Sequence, residues 1–427
     1  MRLHEVKFQT ILLAGFLFIA ACSSSPEKNS ADSDIYFAIA KEYLAEGDID
    51  NGLEQVENAI NAYPENFSAH FLKLETLARE GKFNEAFQAA ETGGNLLPPG
   101  KSYQKDHWLG VIHYHKNDLA KAIEKVESSA RSKPDFADNY ILLGQLYTKT
   151  GRLDEAIKSY LRWTELEPES DRAWSQLGMT YVAIKNFDEA KKALDKAISL
   201  NDKNGLAYNY LGTWAMDQDR WEDTEKYLLK SLELNDSNQY ANLNYAQFLM
   251  LRDRHREALP FLKKSYELDP GIVFTLYWYG RYYYKEKDYE KAYDYYMKAI
   301  DKDPSFWAAR MEISNMYLEL GQNYNKALAV MKSGLQNDPH NQKGYYYHLT
   351  KLTLADNKPK TALDYSEKAR KLVKDSEVTE MSELHLLRGK IFEKLGEPDK
   401  ARSEYKTVMA INPGSPLAKE AGKHISN

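Results

Sequence analysis

The feature that most constrains this chain is a pattern that returns about every 34 residues. One full copy reads Gly280, Tyr283, Ala292, Tyr296, Ala299, Pro304. Another reads Gly144, Tyr147, Gly151, Ala156, Tyr160, Pro168, and a third Gly178, Tyr181, Ala190, Leu194, Ala197, with Asp202 where the proline is expected. Between these marks, apolar residues recur at helical spacing over two stretches of about 14 residues. The small residue early in each copy and the alanine in its second half fall where two helices cross, and only small side chains let them approach. Glu46-Gly47-Asp48, Thr150-Gly151-Arg152 and Leu320-Gly321-Gln322 supply the helix stops, and the proline ends the second helix. No run alternates with the period of a strand between turn dipeptides.

About eleven units follow from this spacing, starting near Ser33, Phe67, Tyr103, Ala137, Asp171, Gly205, Gln239, Val273, Trp307, Lys343 and Ser382. Some depart from the pattern. The first has Gly52 in the alanine's place, and the sixth has Ala215 and Thr224 at the aromatic and alanine positions. The ninth inserts one residue into its turn, and the tenth lacks the proline and is expected to run on through Lys371-Leu372-Val373. Pro416 to Asn427 reads as a short polar capping helix.

On these residues the sequence resembles the tetratricopeptide repeat family. The resemblance covers nearly everything after residue 33 and implies an all-α fold, a right-handed superhelical solenoid of helix-turn-helix repeats over residues 34–415, capped by 416–427.

The N-terminus carries a second signature. Arg2 and Lys7 flank a short charged segment, and an apolar run follows from Phe8 to Ala21, too short to span a membrane comfortably. It ends in Ile19-Ala20-Ala21-Cys22, which resembles the lipobox of bacterial lipoproteins. That resemblance implies a signal peptide over residues 1–21, cleavage between Ala21 and Cys22, and lipid attachment at Cys22. Several acyl chains, at about 0.8 kcal/mol per buried methylene, make a stable anchor. Cys22 is the single cysteine of 427 residues, so an exported form has no disulfide. The polar stretch from Ser23 to Ser33 reads as a flexible tether, making 22–33 the link between anchor and solenoid. Ser23 resembles the outer-membrane sorting signal, so the expected place is the outer membrane, facing the periplasm.

Chemistry is not visible in the chain. The net charge of -6 excludes a generally basic nucleic-acid binder. His107, His113 and His115 are close in sequence, but positions two apart on a helix face apart, so the pair His113 and His115 makes a poor metal site. The glycines are spaced by the repeat and form no phosphate-binding loop. Nothing marks a nucleophile elbow. The expectation is a binding scaffold and no enzyme, with no cofactor, metal or small-molecule substrate.

In the resembled family the first helix of each repeat lines a concave groove. Carried onto this chain, the groove positions include Phe37, Lys41, Phe71, Glu75, His107, Trp108, Tyr114, Arg172 and Gln176 toward the N-terminus. The stretch expected to bind an extended peptide carries Asn209, Tyr210, Tyr240, Asn244, Gln247, Phe274, Tyr277, Trp278, Arg281, Tyr284, Asn315, Tyr347 and Lys351, with Met311 and His348 among them. Asn and Gln side chains pair with both peptide groups, Tyr and Trp supply contact area, and Arg281 and Lys351 suit a carboxylate. The chain has 31 tyrosines, and the segment from Tyr277 to Tyr296 is dense in them; Tyr289, Tyr293 and Tyr295 are expected to look outward or into the second helix. Exposed tyrosine faces leave self-association open. Lipobox plus repeats is the architecture of lipoproteins that assemble type IV pili, secretins, secretion or gliding systems, which implies an assembly factor. The alternative is an adaptor that docks cell-wall or polysaccharide enzymes at the membrane.

Overall fold

The computed structural model describes residues 29–426, so the leader 1–21, Cys22 and most of the expected tether lie outside the described residues. Every regular element among the described residues is helical, with twenty-three α-helices and two short 3-10 segments. They fall into two compact units, Met1–Asp202 and Lys203–Asn427.

The described part of the first unit holds five antiparallel pairs: α1 (Ser30–Ala45) with α2 (Ile49–Ala62), α3 (Phe67–Arg79) with α4 (Phe83–Gly94), α5 (Tyr103–His115) with α6 (Leu119–Ser132), α7 (Ala137–Lys149) with α8 (Leu153–Leu166), and α9 (Asp171–Ala183) with α10 (Phe187–Leu200). The second holds six pairs and a final helix. These are α11 (Gly205–Met216) with α12 (Trp221–Leu234), α13 (Gln239–Leu251) with α14 (His255–Leu268), and α15 (Val273–Lys285) with α16 (Tyr289–Lys302). Then come α17 (Trp307–Leu320) with α18 (Tyr324–Asn337), α19 (Gln342–Ala355) with α20 (Pro359–Arg370), α21 (Val378–Leu395) with α22 (Pro398–Ile411), and α23 (Pro416–Ser426). Within each unit the pairs stack as a solenoid.

Local chemistry explains the boundaries. Side-chain oxygens of Asp48, Asp118, Asn186 and Asp288 accept from the backbone N–H three residues on, capping α2, α6, α10 and α16. The reversal inside most pairs needs one left-handed residue. Gly47 and Gly151 provide it freely, whereas Lys185, Asp219, Asp253 and Lys287 adopt φ of 60, 56, 60 and 63° at the equivalent place. The inserted residue of the ninth pair is absorbed by two left-handed residues, Gly321 and Asn323.

The crossing inside a pair depends on the small residue predicted there. A Cβ on Gly280 would lie 2.4 Å from the Tyr296 ring, and one on Gly144 would lie 2.3 Å from Tyr160. Tyr296 and Tyr160 on second helices are buried, as are Leu74, Leu177, Leu211 and Leu349 on first helices. Each such aliphatic side chain contributes about 1.5–3 kcal/mol.

Three boundaries differ from the sequence reading. Helix α1 starts at Ser30, so the last residues of the expected tether are folded: Asn29 caps the helix, and Ser33 Oγ donates to Ala59 O at 2.7 Å. The polar composition of the segment hid an ordinary cap. Helix α20 stops at Arg370 and does not continue through Val373, and α21 begins four residues before Ser382. The C-terminal helix is amphipathic, with Ala418 and Ala421 buried and Leu417 and Ile425 packed on the cluster around Tyr405 and Val408.

Candidate peptide-binding groove

Within each unit the first helices of successive pairs run alongside one another, so a residue on one can meet the residue 34 or 35 positions later on the next. Several hydrogen bonds have this spacing or nearly so, five of them at expected groove positions or their neighbours. His107 Nδ1 lies 2.9 Å from Asn139 Oδ1. Asn244 Nδ2 donates to Asn209 Oδ1 at 3.0 Å. Tyr277 Oη donates to Glu312 Oε1 at 3.2 Å, and Tyr284 Oη donates to Glu319. His348 Nδ1 sits 2.9 Å from Ser314 Oγ. These bonds tie neighbouring helices together with the side chains expected to meet a ligand.

Three expected groove residues are therefore corrected. Asn209, Tyr277 and Trp278 are buried, at 1%, 9% and 5% exposure. Helices at this separation close over a side chain of that length when a neighbour satisfies its polar end. The Tyr277 phenol is pushed up to about 12, mainly by burial and then by the Glu312 carboxylate. Arg281 lies 3.7 Å from the same carboxylate with its guanidinium 5.0 Å over the Trp278 ring, so it belongs to this cluster too. Burial also pushes Tyr284 up to about 12, with Glu319 second. Burial draws His348 down to about 4 and lowers His107, against the pull of Asn139. Trp108 is buried as well.

Other expected residues remain at the surface. Tyr240 and Phe274 are 51% and 55% exposed and occupy the same position in consecutive repeats. Asn315 is exposed, and Tyr210, Asn244, Gln247 and Tyr347 are half-buried. Lys351 Nζ stands 5.5 Å over the Tyr347 ring. The tyrosine-dense segment mostly packs on itself: Tyr279 stacks on Tyr295 at 4.8 Å and Tyr295 on Tyr283 at 5.3 Å, with Lys291 over the Tyr283 ring and Lys298 over the Tyr295 ring.

The sequence reading stopped at Lys351 and missed a cleft on the same face. Leu318, Lys351, Leu354, Leu387, Lys390 and Lys394 line a cleft of about 570 Å³ formed by α17, α19 and α21. Its floor is apolar. Lys390 is held 2.6 Å from Glu420, and Glu393 at the rim pairs with His424 at 3.0 Å. Lys351 and Lys394 have no carboxylate partner among the described residues. Extending the groove positions by one repeat, to Leu387, Lys390 and Lys394, would have found it. No group of metal-ligating side chains occurs among the described residues.

Tetratricopeptide repeat models match residues 137–170, 171–204 and 382–415, a second model of the same description matches 273–306, and a third spans 37–93. Four of these matches begin at residues where the sequence register starts a unit. No curated protein sequence matches the chain. Among solved structures, the Cut9–Hcn1 hetero-tetramer of the APC/C is similar with a TM-score of 0.59 at 12% identity, covering 99% of this chain and 82% of that one. The human IFIT1 dimer with m7Gppp-AAAA gives 0.54 at 19% identity, covering 82% and 91%. The pilF protein of Pseudomonas aeruginosa gives 0.39 at 17%, covering 60% and 98%, too low to carry an argument. At these identities the likeness establishes the fold alone. Eleven helix pairs among the described residues, stacked within each unit, with repeat models matched along both units, make this chain a member of the tetratricopeptide repeat family.

Proposed function

We propose that this protein is a lipid-anchored scaffold of the outer membrane that holds a component of an envelope assembly in its groove. The repeats make it a protein-interaction scaffold. The observation that carries the finer reading is the cleft of α17, α19 and α21. It pairs an apolar floor with two lysine ammonium groups free of carboxylates, on the face where first helices line up. An extended partner segment with apolar residues and an acidic residue fits it, since Lys351 and Lys394 gain a counter-charge while aliphatic side chains cover Leu318, Leu354 and Leu387. Tyr240 and Phe274 offer aromatic area farther along. The membrane part of the reading is supported by the sequence Ile19-Ala20-Ala21-Cys22.

The test places a photo-crosslinking residue at Leu387 in native envelopes. An acidic segment of one envelope component is expected in the crosslink, lost in the Lys351→Glu, Lys394→Glu double variant while circular dichroism stays unchanged. A crosslink indifferent to charge reversal sinks the cleft reading. Cys22→Ser separately tests the anchor: the variant is expected to leave the membrane fraction, and retention there refutes lipidation.

A further inference from the structure

The tenth repeat breaks the plan of its neighbours, and the break leaves a recess. Helix α20 ends at Arg370, and the chain runs without helix until Val378, where α21 starts a turn early. That added turn carries Glu380. Together with α17, α19 and the end of α20 it borders a recess of about 160 Å³, whose walls include Trp307, Tyr347, His348, Glu380 and Glu383. Trp307 reaches the recess because Gly344 has no side chain: a Cβ there would fall 2.7 Å from Trp307 Cη2.

Glu380 and Glu383 put two carboxylates on this space, against the one Lys351 ammonium that stands 5.5 Å over the Tyr347 ring. Lys343 is the lysine on the lining, and its ammonium lies 2.7 Å from Glu377. His348 is uncharged near neutral pH because burial draws it down to about 4. Burial and then the Glu383 carboxylate raise the Tyr347 phenol, and that carboxylate has acceptor sites to spare. Glu380 is exposed and has no cationic partner among the described residues. Glu380 and Glu383 are three residues apart on one helix and so share a face.

We propose that this recess binds a guanidinium group, presented by an arginine side chain of a partner segment. The volume is well below the roughly 300–1,000 Å³ of pockets that take drug-sized ligands, and it suits one side chain. A planar cation with five donors serves two carboxylates at once and lies against indole and phenol rings, which an ammonium does less well. The opposite charge offsets the desolvation of Glu383. The site adjoins the basic cleft, with Lys351 between the two, but does not depend on the reading of that cleft.

Calorimetric titration of the full chain with capped Gly-Gly-Arg-Gly-Gly tests the assignment. Binding is expected with a Kd of ~1 mM. The citrulline peptide, equal in shape and neutral, is expected to bind at least about tenfold more weakly, and the lysine peptide roughly threefold more weakly. Glu380→Gln, Glu383→Gln should bring the arginine peptide down to the citrulline level. Equal binding of arginine and citrulline, which needs no variant to fold, overturns the proposal, as does absence of arginine binding or an unaffected double variant. Agmatine binding more tightly than the pentapeptide overturns the partner-segment assignment in favour of a free guanidinium compound.

Discussion

At the scale of single residues, position in the repeat located the side chains and neighbours decided their use. Asn209 and Tyr277 were legible as first-helix positions, but their burial was not. It depends on Asn244 and Glu312, each 35 positions later, standing where a ligand was expected. A register states which residues share a face; whether the next helix carries a matching donor is a pairwise fact that one repeat does not contain. The same logic gives His348 a measurable role. Above pH 6.5 its imidazole is neutral folded or unfolded and contributes nothing to the pH dependence. Between pH 6.5 and about 4 the unfolded ring takes up a proton that the buried ring refuses. Stability therefore falls with pH over that window, by ~3 kcal/mol at its lower end. His70 and His107, also lowered chiefly by burial, act in the same direction. The protection factors of the α19 amides, their exchange rates taken relative to the intrinsic rate at each pH, should fall on acidification from pH 6.5 to 4.5. His348→Gln should flatten that trend for α19, and an unchanged slope would show that His348 is solvated.

At the scale of elements, the pairs were legible because two constraints repeat: a small residue at the crossing and a left-handed residue at the reversal. The crossing tolerates no enlargement. Gly280→Val places its side chain against Tyr296, where a Cβ alone would approach to 2.4 Å, and should cost about 1–3 kcal/mol. Thermal unfolding with exchange read at α15 and α16 measures it, and a neutral result would mean Tyr296 can swing aside. The reversal is more forgiving, and it is suboptimal in this chain. Lys185 is exposed at φ 60°, so Lys185→Gly should stabilise the α9–α10 pair by ~0.5–1 kcal/mol, and Lys185→Val should do the opposite. Identical urea midpoints for the three proteins would refute the strain. The boundaries that sequence misplaced lack these marks. The start of α1 is hidden in a polar run where Asn29 is the sole signal, and the early start of α21 has no preceding proline to announce it.

At the scale of the whole molecule, a repeat array gains its stability from each pair and from the contacts with the next, so damage should travel along the chain and fade. The C-terminal helix allows a clean test because it covers one end. Leu417, Ala418, Ala421 and Ile425 seal the cluster of Leu386, Phe392, Tyr405 and Val408, and Glu420 and His424 hold Lys390 and Glu393 at the cleft. The sequence marked this segment as a cap and misjudged its polarity, since charges at Lys419, Glu420 and Lys423 mask an apolar face that only the helical period reveals. Deleting residues 416–427 exposes that cluster and should lower the local stability of the last pair by about 3 kcal/mol. Exchange in α21 and α22 should rise by roughly two orders of magnitude, since each 1.4 kcal/mol is a factor of ten. The effect should weaken toward α17, and protection in α1 to α10 should stay unchanged. If protection instead drops equally in both units, the array folds as one cooperative block, and the nearest-neighbour account of its stability is wrong.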